Sequence, residues 1–191
     1  MLITGLEIRS CCVPSEELGV DSLNGQSVSR QLEYLVYTLR TDVGIEVSSF
    51  GFAGASASGS AVLAKAAFEP LLLGQNPLDR EKIWREFRVL DRWWNHLPIY
   101  SYGPIDICLW LIAARAAGLP LYKYIGANSD EVEAYCSSLV LSDIDAYCDE
   151  AVSVRDAGYK AYKIHPPGKD IDRDIELHRA VRNCVGSDFV L

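Results

Sequence analysis

The sequence predicts an α+β module followed by the first part of a parallel β/α fold. The first third alternates apolar and polar residues as strands do, and the middle third has apolar residues at helical spacing. From about residue 128 onward, strand-like and helix-like segments alternate. Strands followed by helices are typical of an α+β module, whereas alternating segments are typical of parallel βα units.

Strand periodicity occurs in three segments of the first third: Leu2 to Cys12, Tyr34 to Thr41 and Ile45 to Phe52. Turn-forming residues at Thr41-Asp42-Val43-Gly44 separate the last two, which predicts an antiparallel hairpin. The segment from Pro14 to Arg30 is rich in Ser, Gly and Asn, and we expect a long exposed loop there.

Three helices are predicted in the middle third. Ser58 to Leu73 is small and apolar at helical spacing, and Pro70 predicts a break near its end. Pro77 opens a second helix, with acidic residues near its start where the helix dipole favours them. A third helix runs from Pro104 to Ala117 and ends at Gly118.

The last third predicts two helices between three strands. Ser142 with Asp145 three residues on forms a capping-box pattern at the first helix, and Asp170 caps the second. In order, the predicted strands are Val132 to Ser137, Tyr159 to His165 and Asp188 to Leu191, and the helices are Asp143 to Ala157 and Asp170 to Cys184.

The predicted parallel units do not make a closed fold by themselves. The second helix turns Ile171, Ile175 and Val181 inward. A parallel sheet must be covered on both faces or closed into a barrel, and three strands with two helices achieve neither. Because the sequence also stops within a strand, we expect the 191 residues to be a fragment of a longer polypeptide.

Composition argues against several classes of partner. The formal net charge of −8 disfavours nucleic-acid binding. The six cysteines have no C-x-x-C spacing, so we interpret them as reduced and mostly buried. No signal peptide and no apolar run of ~20 residues is present. We therefore expect a soluble, cytoplasmic protein with no nucleic-acid or membrane partner.

The segment from Gly158 to Gly168 is the most informative for chemistry. Strand alternation places Lys163 and His165 on one face, ~6–7 Å apart along the strand. Both precede Pro166-Pro167-Gly168, at the carboxyl end of the strand, where catalytic groups collect in α/β barrels. The alternative interpretation is that Lys163 extends into solvent and His165 is a structural histidine at the rim.

The segment from Ile105 to Ala127, together with the order of elements, resembles the mandelate racemase and muconate-lactonising branch of the enolase superfamily. That family usually reads A-x-D-x-A-L-W-D-x-x-G-K-x-x-G-x-P-L-x-x-L-L-G here. This chain keeps Asp106, Leu109, Trp110, Gly118, Pro120, Leu121 and Gly126. It departs where the family more often has Asp, Gly and Lys, at Leu111, Ala114 and Arg115.

The resemblance implies both a fold and a pair of catalytic residues. Residues 1–127 would form an α+β capping domain (antiparallel sheet plus three-helix bundle), and residues 128–191 the incomplete start of a (β/α) TIM-type barrel. The second barrel strand of the family commonly carries Lys-x-Lys; Lys163 matches the first and His165 replaces the second. The first stabilises the substrate carboxylate, and the second exchanges the α-proton. Imidazole titrates nearer neutral pH than an amine, so a histidine is chemically admissible.

The resemblance also implies one Mg²⁺, held by carboxylates at the ends of the next three barrel strands. Those ligands are expected beyond residue 191, because Asp188 lies at the wrong, amino-terminal end of its strand. Substrate contacts would come from two cap loops, Pro14 to Arg30 and the stretch around Phe50-Gly51-Phe52. Ser137 and Ser138, at the end of the first barrel strand, are weaker candidates for contacting a substrate carboxylate.

By this resemblance the intact enzyme is expected to be a Mg²⁺-dependent sugar-acid dehydratase, a hydro-lyase that abstracts the proton α to a carboxylate through an enediolate. The substrate would be a small carboxylate, an acid sugar, and the enzyme a homo-oligomer. The fragment alone is not expected to be active. Two alternatives remain: a racemase or epimerase of a 2-hydroxy or amino acid derivative, which needs competent bases on both faces, and a non-catalytic family member.

Overall fold

The computed structural model divides into two compact units. The first consists of Met1–Pro14 and Gln31–Asn128, and Ser129–Leu191 belongs to the second. The structure describes residues 1–14, 22–23, 26–27, 31–54, 57–94 and 99–191. Within these described ranges, no helix has the length and apolar character required to cross a membrane.

The first unit is built on a three-stranded antiparallel sheet in the order β1-β4-β5. The strands are β1, Ile3–Pro14; β4, Gln31–Thr41; and β5, Glu46–Gly54. The turn between β4 and β5 requires a left-handed residue, supplied by Gly44 with φ 80°. The predicted hairpin is thus confirmed. A separate antiparallel pair joins β2, Ser22–Leu23, to β3, Gln26–Ser27.

Three main helices follow the sheet: α1, Ala57–Leu72; α2, Arg80–Trp94; and α3, Gly103–Ala116. A 3₁₀ turn at Ile99–Tyr102 precedes α3, and a single helical turn, α4, occupies Leu121–Tyr124. The first backbone N–H of α1, at Ala57, donates to the Glu33 carboxylate at 2.5 Å. The break predicted at Pro70 is wrong, because Pro70 lies inside α1.

A cluster of aromatic side chains lies within the otherwise aliphatic core of the first unit. The Phe87 ring stacks on Tyr102 with centroids 4.6 Å apart, and Phe68 lies 5.7 Å from Phe87. The β5 strand approaches α3 so closely that a Cβ at Gly51 would lie 2.9 Å from Cγ of Pro104. Gly51 is therefore a packing position, and any larger side chain would separate β5 from α3.

The second unit pairs two short parallel strands. These are β6, Cys136–Ser137, and β7, Tyr162–Lys163, with Cys136 opposite Tyr162 and Ser137 opposite Lys163. A parallel bridge also joins Ala161 to Val190. Two helices accompany the strands: α5, Ile144–Asp156, and α6, Ile171–Val185. Their shared core contains Tyr147, Ala151, Val154, Tyr162, Leu177, Val181, Val185 and Phe189.

Three details of the sequence prediction for this unit are wrong. The first two predicted strands are too long. In the β6–β7 ladder each strand contributes only two paired residues, and Val132, the predicted start of the first strand, is 90% exposed. The cap of α5 is Asp143, whose carboxylate accepts the Ala146 N–H at 2.9 Å, not Ser142. Ile171 and Ile175 are exposed, because about 100° of rotation per residue places them on the side of α6 opposite the buried Leu177.

The cysteines are free, as expected, but they are not mostly buried. Cys108 is buried, and burial raises the pKa of its thiol to about 12. Cys136 and Cys148 are half-buried, and the exposed members are Cys11, Cys12 and Cys184.

Candidate functional site

The end of β7 separates two kinds of side chain. Tyr162 is buried and Ile164 packs against the same core, which the helices α5 and α6 form. Lys163 is exposed and His165 is half-buried. Because successive strand residues point to opposite faces, Lys163 lies on the face of β7 opposite the buried Tyr162. His165 follows two residues beyond the end of β7, and its catalytic role and that of Lys163 stay a prediction.

Hydrogen bonds hold the His165 backbone on both sides. Its N–H donates to Oγ of Ser138 at 2.9 Å. Its carbonyl accepts the hydroxyl proton of Tyr147 at 2.6 Å, and that hydroxyl in turn accepts the Leu141 N–H at 2.9 Å. The Lys163 carbonyl accepts the Ser138 N–H at 2.9 Å, which continues the parallel ladder one residue beyond β6. These bonds fix the backbone position from which the imidazole projects.

The imidazole itself contacts the end of β6. Its Nδ1 lies 2.7 Å from the main-chain oxygen of Ser138 and 3.4 Å from Oγ of Ser137. Ser138 is only 2% exposed, and its hydroxyl is already used by the His165 N–H. Ser138 is therefore enclosed behind the histidine, which is incompatible with the direct substrate contact considered for it. Ser137 is exposed and remains a candidate for such contact.

Charge is unevenly distributed across the two sides of the strand. On the helix side, burial raises the pKa of Tyr162 to about 12 and raises the pKa of the Glu150 carboxyl. Burial likewise raises the pKa of Tyr147. These shifts favour the neutral forms of all three groups. On the other side of β7 the Lys163 side chain is exposed.

The described residues do not provide a magnesium site. Among residues 1–14, 22–23, 26–27, 31–54, 57–94 and 99–191 there is no group of three His, Cys, Asp or Glu side chains placed to hold a metal. Asp188 precedes Val190, the residue that pairs with Ala161, so it lies at the amino end of that pairing segment. Its carboxylate accepts a hydrogen bond from the neighbouring Ser187 hydroxyl at 2.9 Å. A single exposed carboxylate does not satisfy a cation that prefers six oxygen ligands.

The two cap segments predicted to contact substrate have different outcomes. Most of Pro14 to Arg30 lies outside the described residues; within it only β2 and β3 are described, besides the end of β1. The stretch Phe50-Gly51-Phe52 is not a loop, because it lies inside β5. The ring of Phe50 is exposed and meets Tyr34 edge-on with centroids 6.2 Å apart.

Sequence reasoning missed the supporting role of Tyr147 and of the Ser138 main chain. The sequence pattern assigns Tyr147 no role at the site. A tyrosine on a buried helix face nevertheless signals a need for a hydroxyl partner, and here the partners are Leu141 and His165. A main-chain acceptor such as the Ser138 carbonyl leaves no signal in the residue type.

No protein-family model matches the chain. The curated relatives include L-talarate/galactarate dehydratase of Salmonella typhimurium, 29% identical over 168 residues, 84% of this chain and 42% of that protein. N-succinyl-L-Arg/Lys racemase of Bacillus cereus is 26% identical over 196 residues, 100% of this chain and 51% of the relative. Among solved structures, D-glucarate dehydratase from Agrobacterium tumefaciens complexed with magnesium superposes with a TM-score of 0.78 at 27% identity, covering 99% of this chain and 52% of that chain.

These homologues and structural neighbours are mandelate racemase-like enzymes of the enolase superfamily, and the predicted resemblance to that superfamily is confirmed. They include both dehydratases and racemases. The chain spans about half the length of the relatives that it matches, 42% and 51% for the two proteins above.

Proposed function

We propose that the intact enzyme dehydrates a sugar acid by abstracting the proton α to its carboxylate, with His165 as the acid/base and Lys163 as the stabilising cation. The proposal is supported by the exposed position of Lys163 on β7 and by the position of His165 two residues further on, with its imidazole at the end of β6. In the same proposal, residues 1–127 are the capping domain and residues 128–191 the beginning of the barrel.

The proposed reaction balances as the loss of one water. The imidazole takes the α-proton, and the electrons of the broken C–H bond form the enediolate. Loss of the β-hydroxyl group, which takes a proton and leaves as water, converts the enediolate to an enol that tautomerises to a 2-keto acid. Lys163 offsets the negative charge that develops on the carboxylate oxygens. The half-buried imidazole is in a suitable position for proton transfer, because its backbone is fixed by Ser138 and Tyr147.

Magnesium belongs to this proposal only through the relatives. The D-glucarate dehydratase structure is a magnesium complex. The described residues of this chain supply no ligand set. We propose, as the resemblance implies, that the ligands lie beyond residue 191. The assembly of the enzyme as a homo-oligomer and its preference for an acid sugar are further parts of the same proposal.

A racemase or epimerase is the second candidate, because the Bacillus cereus racemase matches the chain over its whole length. Both reactions share the first proton abstraction and differ in the fate of the enediolate. Reprotonation from the opposite face gives racemisation, and loss of the β-hydroxyl gives dehydration.

The test is incubation of the complete enzyme with a panel of aldonic and aldaric acids in D₂O. Dehydration is measured as 2-keto acid formation, and proton exchange is followed by NMR as loss of the α-proton signal. The proposal expects 2-keto acid from at least one acid sugar. Deuterium exchange without loss of water would favour an epimerase instead, and neither reaction with any acid would leave the non-catalytic alternative.

Matched variants separate the two residues from their surroundings. His165→Gln is expected to lower kcat by about 10²–10⁴-fold, the usual contribution of a general base. Lys163→Gln should lower kcat by about 10²–10³-fold through lost charge stabilisation. The control for His165 is His178→Gln, at an exposed position of α6. The control for Lys163 is Lys160→Gln, at an exposed position two residues before β7. An equal decrease of kcat in the control and test variants would contradict the roles proposed for His165 and Lys163.

A further inference from the structure

We propose that Ser138 is a positioning residue that fixes neutral His165 as the Nδ1–H tautomer and so leaves Nε2 as the proton-accepting atom. This inference rests on the proposed function for its catalytic meaning, but the tautomer can be measured without any activity. It names the reacting nitrogen and the residue that selects it, neither of which follows from the identity of His165 alone.

The acceptor character of the Ser138 carbonyl decides the tautomer. A main-chain oxygen carries no proton, so the ring nitrogen 2.7 Å from it must be the donor. A neutral imidazole carries one N–H, and a proton on Nδ1 leaves the lone pair on Nε2. The reverse tautomer would place two lone pairs against each other at that distance. The shorter contact therefore excludes a neutral ring protonated on Nε2 in this geometry.

The second contact of Nδ1 does not compete with the carbonyl. Oγ of Ser137 lies 3.4 Å away, at the long end of the hydrogen-bond range. A hydroxyl can rotate either to donate or to accept, so it is compatible with both tautomers. The two adjacent serines thus differ in kind: Ser138 constrains the ring, and Ser137 only adjoins it.

Ser138 also limits where the ring can go. Its Oγ accepts the backbone N–H of His165 at 2.9 Å, while its carbonyl receives the ring N–H. Both bonds come from one residue that is nearly fully buried. The Tyr147 hydroxyl holds the His165 carbonyl from the other side. A 180° ring flip would put Cδ2 in the place of Nδ1 and break the bond to the carbonyl, so Nδ1 stays against β6 and Nε2 faces away from it.

His178 provides an internal reference in the same chain. Its Nδ1 lies 2.6 Å from the main-chain oxygen of Asp174, one turn earlier in α6. The same rule predicts an Nδ1–H tautomer there, but His178 is exposed. If only a carbonyl contact matters, both histidines should show the tautomer. If the anchoring by Ser138 matters as well, only His165 should be entirely in the Nδ1–H tautomer.

The experiment is long-range ¹H–¹⁵N NMR of protein labelled with ¹⁵N-histidine. The pH is raised until the ¹⁵N shifts of the rings no longer change, so that the neutral form is observed. The His165 signals are assigned by their loss in His165→Gln. We expect Nε2 of His165 at the downfield shift of an unprotonated nitrogen and Nδ1 at the upfield shift of a protonated one. A protonated Nε2 in the unmodified protein would overturn the proposal, and this measurement requires no variant that alters the fold.

Adjacent serine variants then test the role of the Ser138 hydroxyl. Ser138→Ala removes the acceptor of the His165 N–H and should move both ring nitrogens toward the intermediate shifts of a tautomer mixture. Ser137→Ala should leave them unchanged, and Ser138→Thr, which keeps a hydroxyl, should restore the unmodified shifts. Unchanged shifts in Ser138→Ala would reject the hydroxyl's part in positioning.

Failure of this inference is distinguishable from failure of the proposed function. A correct tautomer in an enzyme that dehydrates no acid sugar would contradict the dehydratase and leave the positioning intact. A dehydratase whose His165 carries its proton on Nε2 would contradict the positioning and leave the reaction class intact.

Discussion

The first unit encloses its strands more fully than the second. Strands of nine to twelve residues in the first unit contact α1 and α3, and ion pairs at Arg40 join all three strands. Arg40 bridges Glu7 at 2.7 Å and Glu46 at 2.5 Å. In the second unit only two residues of β6 pair with β7, and beside the buried Tyr162 the strand carries an exposed lysine.

This difference shows where chemistry can be accommodated. A strand satisfied on both faces has side chains committed to packing or to ion pairs, as Arg40 is. The end of β7 is committed on one side only, and the other side presents Lys163, with His165 two residues further on. Stability in this region comes from the helix side and from main-chain bonds to His165 rather than from burial of the reactive groups. The comparison predicts that core and site respond separately to mutation.

The largest expected effect is in the aromatic core of the first unit. Phe87→Ala removes a fully buried ring that stacks on Tyr102, and we expect a loss of about 3–5 kcal/mol in the free energy of unfolding. Denaturant unfolding followed by tryptophan fluorescence measures it, since all four tryptophans lie in this unit. Val89→Ala, on the exposed side of the same helix, is the control and should change stability by less than about 0.5 kcal/mol.

The next largest effect is expected in the core of the second unit. Leu177→Ala removes a buried side chain from the core shared by α5 and α6, at an expected cost of about 2–5 kcal/mol. Hydrogen exchange by mass spectrometry should show faster exchange in these two helices and little change in α1. Ile175→Ala, at an exposed position of α6, should leave both unaltered. Equally faster hydrogen exchange in α1, α5 and α6 would contradict a separate response of the second unit.

Alkaline pH should weaken both units in the same range. Burial raises the pKa of Tyr37, in the first unit, and of Tyr162, in the second, to about 12. A raised tyrosine pKa means that the folded state keeps its proton longer, so stability is present below pH ~10 and falls as pH rises toward 12. Between these pH values the free energy of unfolding should fall less in Tyr37→Phe than in the unmodified protein. In Tyr122→Phe, which changes an exposed ring, it should fall as much as in the unmodified protein.

The sequence predicted the first unit more accurately than the second, for a physical reason. Alternation over eight or more residues and the turn at Gly44 determine a hairpin locally, and both were found. In the second unit, the apolar pattern around Val132 predicted a strand, but a strand requires a partner, and pairing begins only at Cys136. Local pattern cannot supply information about a neighbour that lies elsewhere in the fold.

The same limit applies to the candidate site. Residue type and strand alternation selected Lys163 and His165 as candidates, and their roles stay a prediction. They did not reveal that Ser138 is enclosed, or that its carbonyl meets the imidazole, because a main-chain acceptor is present at every position. A candidate side chain is thus more readily selected from a sequence than the hydrogen bonds that orient it.

The smallest expected effect tests whether the second unit depends on local capping more than the first. Asp143→Ala removes the carboxylate that accepts the Ala146 N–H at the start of α5. Hydrogen bonds from that N–H and from Ser142 lower the pKa of Asp143, so the charged form stabilises the fold above the usual carboxyl pKa and this contribution is lost as pH falls through the lowered value. The variant should therefore be less stable than the unmodified protein near neutral pH, and the difference should narrow in acid. Asp145→Ala, in the same turn, removes a charge but not the cap observed at Asp143. Thermal unfolding followed by circular dichroism at several pH values distinguishes the two variants. A pH-independent difference for Asp143→Ala would assign the loss of stability to helix propensity, and an equal, pH-dependent difference for Asp145→Ala would assign it to charge at the helix start. Either result would contradict the role of the cap.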